Sequence, residues 1–147
     1  MSNLLATLNT VGSGSYAPED VHFLLRSVQM NVTDVEEKER LIQTNQKHYS
    51  EMISQEHAPT DVHKSLYARA LVLNGARMAE DVQSLALALS AVCTGSSIAL
   101  VSFVRAGLPL GVLLRRALVE MGRDAHHYGV SIIRDRGIDT VALEAII

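Results

Sequence analysis

IALVSFVRAGLPLGVLLRRALVEMG, residues 98–122, falls into three parts of different character. Ile98 to Val104 is short, almost wholly apolar and rich in branched residues, which predicts a strand buried on both faces. Arg105-Ala106-Gly107 and Leu108-Pro109-Leu110-Gly111 interrupt it as a loop. From Val112 to Met121 apolar residues recur at Val112, Leu113, Ala117, Leu118 and Met121, the spacing of a helix, and Gly122 stops it. Strand, Gly-containing loop and helix make one unit of an open α/β sheet, where ligands bind at the carboxyl ends of strands. The loop has the residues of an anion cradle. Gly107 and Gly111 let the backbone approach a ligand, the first helical N–H groups lack partners, and Arg105 adds a fixed charge. A plain strand-to-helix turn with a surface arginine accounts for the same residues. No GxxxxGK[ST] and no GxGxxG occurs in the chain.

At 147 residues and 48% hydrophobic, the chain has the material for one domain, or a large piece of one. Aromatics make up 4% and tryptophan is absent, so the expected interior is aliphatic. A net charge of -3 is too mild to require nucleic acid or an anionic membrane as partner. The charge is uneven: seven Lys/Arg face eleven Asp/Glu before residue 95, and six face five after it. The single cysteine, Cys93, excludes an internal disulfide and fits a reducing cytoplasm. It reads as a small buried residue near a helix end, with a nucleophile as the alternative. The N-terminus lacks the basic region and apolar stretch of a secretory signal, and Leu85 to Cys93 is too short to span a bilayer. A cytoplasmic protein without a membrane partner is expected.

Working outward, residues 1–17 read as a flexible lead-in, 18–94 as a helical part and 95–147 as a partial α/β core. Pro18, Glu19 and Asp20 suit the first turn of a short helix presenting Val21, Leu24, Leu25 and Val28. Thr33-Asp34-Val35-Glu36 is a capping box for a polar helix through about Gln46. His48 and Ser50 would point apart on a helix, being two positions distant. Thr60 caps a long helix with an apolar stripe at Val62, Leu66, Leu73, Met78, Val82, Leu85, Leu89 and Val92, and Asn74-Gly75 is the place for a bend or a break. Tyr128 to Ile133 is the second strand candidate, joined to the first by the helix through a right-handed crossover. His126-His127 stands at its entrance, and with no third ligand at metal spacing no metal site is expected there. Arg134-Asp135-Arg136-Gly137 follows at its carboxyl end and suits a phosphate or carboxylate. Asp139 caps a last helix from Thr140 to Ile147.

The succession GSYAPEDVHFLL, HYSEMI, RMAEDVQSLALAL, LVSFVRAGLPLGVLLRRAL and HYGVSIIRDRGID strongly resembles a bacterial phosphoribosyltransferase-like family. That family is also labelled "cysteine protease StiP, N-terminal domain" and is linked to tellurite-resistance and stress gene clusters. The likeness runs from Gly12 onward, and its two Arg-containing motifs are the most specific parts.

The resemblance implies a type I phosphoribosyltransferase-like parallel sheet with an N-terminal helical elaboration. It makes Val104 to Gly107 the diphosphate loop of a phosphoribosyl pyrophosphate (PRPP) site, with a cis peptide at Val104–Arg105. By that reading Arg105, Arg134 and Asp135 are catalytic. Arg105, Ala106, Gly107, Pro109, Gly111, Arg136 and Gly137 contact the substrate, a phosphorylated sugar or nucleotide. Mg²⁺ accompanies the diphosphate, and charge stabilisation of the leaving group drives the reaction. Family members continue into another strand and an acidic, Gly-rich loop that holds the 5-phosphate. The expectation is therefore an incomplete catalyst, finished by a missing C-terminal part or a homo-oligomer partner. The family's second label implies a cysteine protease with Cys93 as nucleophile, and a non-catalytic interaction module is the third reading.

Overall fold

A computed structural model describes residues 11–146 of the chain. Most of the lead-in, residues 1–10, and Ile147 lie outside the described residues. The chain is mixed α/β, with four α-helices and one three-stranded parallel sheet among the described residues. It divides into two compact units, Val28–Val72 and the residues before and after that stretch.

The sheet lies in the second of these. β2 (Ser97–Phe103) pairs in parallel with β3 (Asp124–Val130), Ser97 opposite Asp124 through to Phe103 opposite Val130. Between them runs α3 (Leu108–Glu120), so the expected strand, turn and helix are present, but β2 is buried only at Ile98 and Ser102 and not on both faces, because it stands at the sheet edge. The turn is shorter than expected. Leu108 to Gly111 form the first turn of α3 and not a loop, because Pro109 fits the first helical positions with its preset φ and missing N–H. Gly122 ends the helix at φ +78°, as glycine readily does. The Val104–Arg105 peptide is cis.

Three expectations fail here. Residues 18–28 form no helix: a turn at Pro18–Asp20 leads into β1 (His22–Phe23), which pairs with β3 in parallel at Tyr128 and Gly129. The helical spacing of Val21, Leu24 and Leu25 misleads because all three face packed surfaces created by the sheet, while Val28 is exposed. The second strand begins earlier than Tyr128, so His126 and His127 lie inside it. After it comes a two-stranded antiparallel hairpin, β4 (Ile132–Ile133) and β5 (Gly137–Ile138), and then α4 (Thr140–Glu144), capped by Asp139 as expected. The sheet order β1-β3-β2 leaves β2 at an edge with Val101 and Phe103 exposed.

Three aliphatic clusters hold this unit. Val82 and Ala86 of α2 (Asp61–Val92) pack with Ile98, Leu114, Leu118 and Ala125. Val21 and Phe23 pack with Leu108 and Val112, and Leu24 and Val130 pack with Ala142. α2 is continuous through Asn74-Gly75, and its buried positions are Val82 and Ala86 rather than the long stripe, of which Val62, Leu66 and Leu73 are exposed.

In the unit Val28–Val72, α1 (Val35–Gln43) is capped by Asp34, one residue later than the capping box predicts: its carboxylate accepts from the Glu36 N–H at 2.9 Å. A bridge joins Val32 to Ile53. His48 and Ser50 do meet, with Nδ1 2.8 Å from Oγ, because the chain there is a 3₁₀ turn that His48 caps and not a helix. Thr60 caps α2 as expected, its hydroxyl accepting from the His63 N–H at 3.2 Å.

Candidate functional site

The residues expected to act together stand in three places. Arg105, Ala106 and Gly107 form the exposed to half-buried turn between β2 and α3. Pro109 is in the first turn of α3. Gly111 is fully covered, and its missing side chain makes room for His127 and Ser102 rather than for a ligand. Arg134 to Gly137 turn the β4–β5 hairpin, with Asp135 at φ +65° and Gly137 at φ +101°. They therefore follow a hairpin strand and not the carboxyl end of a sheet strand. Cys93 follows α2, half-buried against the cluster of Val82, Ile98 and Leu118. Its carbonyl accepts from Arg123 at 2.6 Å.

Among the described residues no three His, Cys, Asp or Glu side chains gather as a metal site, and Asp135 sits between two arginines. No chemical step runs through Mg²⁺.

The densest polar arrangement lies elsewhere, under α3. Asp20 is 1% exposed, and its carboxylate accepts two hydrogen bonds from Arg116 of α3, from Nε at 2.7 Å and Nη2 at 2.6 Å. That paired guanidinium holds the Asp20 carboxyl below the usual carboxylate range, against the opposing effect of burial. The Asp20 carbonyl stands 3.0 Å from Nδ1 of His127, which is 3% exposed. A carbonyl only accepts, so Nδ1 carries the proton. Burial pushes the His127 imidazole below its ordinary value, which keeps it neutral and leaves Nε2 as an acceptor. Ser102 Oγ lies 2.8 Å from that nitrogen, and the Gly107 carbonyl, at 3.2 Å, is the other direction its proton can take. Ser102 and His127 thus have the contacts of a hydroxyl and its base. The backbone of Gly111 covers them, so they hold β2, β3 and the Pro18–Asp20 turn in register.

Beside this buried group is an open concavity of about 350 Å³ lined by Pro18, Glu19, Val21, His22, Arg115 and residues 126–128. His22 meets the Tyr128 ring edge-on, centroids 6.4 Å apart, and His126 Nε2 lies 3.1 Å from the Asp124 carboxylate. Of these groups the sequence marks only the His pair as a candidate for chemistry. The contacts that tie Ser102, Asp20, Arg116 and His127 together carry no local signal, since they span 25 to 107 positions.

The buried imidazole makes a pH prediction. The folded value of His127 is depressed, so the unfolded chain binds the extra proton first. Its contribution is complete above about pH 6.5 and is lost as pH falls through that value toward the folded pKa. Thermal unfolding between pH 8 and 5.5 should show Tm falling on the acid side for the parent chain, with a shallower fall for His127→Asn. Equal slopes would remove the role given to the ring.

Residues 14–147 match the model of a family described as tellurite-like stress resistance cysteine protease StiP. The chain is also 56% identical, over 135 residues, to "Cysteine protease StiP" of Acinetobacter baylyi. That alignment covers 92% of this chain but 35% of the relative, so the chain spans well under half of that protein's length. No solved structure matches the chain. These matches overturn the PRPP-binding transferase reading, because both are described as cysteine protease.

Proposed function

The chain belongs to the tellurite-like stress resistance cysteine protease StiP family, and on that premise we propose that it serves as a domain of a cysteine protease and does not supply the attacking thiolate. The observation that carries the protease reading is the 56% identity over 92% of the chain to a relative bearing that name. Cys93 supports the second half. A nucleophilic cysteine needs a base or a fixed positive charge at its sulfur. Cys93 instead packs against aliphatic side chains, with no imidazole hydrogen-bonded to it among the described residues. A free thiol fits a cytoplasmic setting, which belongs to the same proposal. Among the described residues no helix is long and apolar enough to cross a membrane.

The test is a chimera in which this chain replaces the corresponding segment of the Acinetobacter baylyi relative. Peptide hydrolysis should match the unaltered relative, and Cys93→Ser in the chimera should leave it unchanged. A folded but inactive chimera would overturn the domain assignment. Loss of activity on Cys93→Ser alone, with Tm unchanged, would return the nucleophile to this chain.

A further inference from the structure

The concavity beside His127 contains a cation that the described residues do not hydrogen-bond. Arg115 is half-buried in α3 and lines the cavity, yet among the described residues its guanidinium makes no hydrogen bond or ion pair. Its neighbour Arg116 is committed to Asp20 by two short bonds. Arg115 is close enough to lower the pKa values of both His127 and Asp20. Its guanidinium therefore faces the open concavity, hydrated and free to exchange water for a ligand's carboxylate. The same cavity carries one fixed negative charge, Glu19, and two imidazoles, His22 and His126. Val21, Pro18 and the Tyr128 ring add apolar surface.

We propose that this concavity binds a small zwitterion, a free amino acid or dipeptide, with its carboxylate on Arg115 and its ammonium on Glu19. Three features select that class. The planar fork of one arginine matches a carboxylate bidentately. Glu19 repels a second negative charge, which disfavours a phosphate dianion. A volume of about 350 Å³ is at the small end of ligand pockets and excludes a folded partner. The site is independent of the protease reading, and its failure would leave that reading in place.

The test is titration of the 147-residue chain with L-alanyl-L-alanine, followed by amide chemical shifts and calorimetry. Binding at a Kd of about 1 mM or tighter, with shifts at His22 and residues 126–128, is expected. Arg115→Gln should weaken it about tenfold or more, the loss of a charged hydrogen-bonding partner. N-acetyl-L-alanyl-L-alanine, which lacks the ammonium, should bind more weakly to the parent chain and no more weakly than the free dipeptide to Glu19→Gln. Inorganic phosphate should not displace the dipeptide. Absence of shifts at those residues in the folded parent chain overturns the proposal without recourse to any variant. So does displacement by phosphate, or dipeptide affinity unaltered by Arg115→Gln.

Discussion

Arg116→Ala is expected to be the most damaging single change at the surface of α3, lowering Tm by roughly 5–10 °C. The residue itself is largely exposed, with 57% of its side chain accessible, so its own burial is not the reason. The reason is its partner. The Asp20 side chain is 2% accessible and has Arg116 as its main compensation, through two bonds at 2.6 and 2.7 Å. Without them a carboxylate is left out of water, accepting only a long bond from the Ala17 N–H at 3.3 Å among the described residues. The pH dependence separates this cause from lost packing. In the parent chain the Asp20 carboxyl is depressed, so its contribution is present above the ordinary carboxylate value of about 3.9 and is lost as pH falls below it. In Arg116→Ala the unpaired, buried carboxyl titrates higher than in the unfolded chain. Acid then favours the fold at that group, and the deficit relative to the parent should shrink between pH 7 and 4. Adding Asp20→Asn to Arg116→Ala should recover part of the loss at pH 7. Additive effects of the two changes would show that the pair is not coupled.

Gly111→Ala is expected to destabilise the chain by about 2–4 kcal/mol, although the same change in a helix interior ordinarily helps. Alanine in place of glycine gains about 1 kcal/mol of helix propensity. Against that, a Cβ at Gly111 would lie 2.5 Å from both Ser102 Oγ and His127 Cε1, and nearer still to His127 Nε2. Neither group is a flexible tip. His127 is held at its other ring nitrogen by the Asp20 carbonyl, and Ser102 is part of β2. Relief therefore requires α3 to lift or the Ser102–His127 bond to break, and either outweighs the propensity gain. Gly75→Ala is the control: Gly75 is inside α2, exposed, with nothing within 4 Å of a new Cβ, and should gain about 0.5–1 kcal/mol. Chemical denaturation of both variants checks the pair. A Gly111→Ala chain as stable as the parent would mean that α3 does not press on His127 as the distances say.

Several elements were legible because their cause is local. The apolar run of β2, Pro109 opening α3, Gly122 at positive φ ending it, and Thr60 and Asp139 capping their helices each depend on residues within a few positions. The motif around Val104 to Gly107 brought the family resemblance and the cis peptide with it. It also brought a sugar-phosphate function that the cysteine-protease matches displace, since a family's second label has no residue pattern of its own to weigh against the first.

What tertiary structure alone decided lies where the cause is distant. Val21, Leu24 and Leu25 suit a helix by spacing, and become the surroundings of a two-residue strand only because β3 offers hydrogen bonds at Tyr128 and Gly129. Gly111 looks like a ligand-approach glycine until His127 is found beneath it. Nothing along the chain links Asp20, Ser102, Arg116 and His127 to one another. Burial turns them into one connected group, because a charge or a hydroxyl removed from water must find its partner in whatever segment the fold brings beside it.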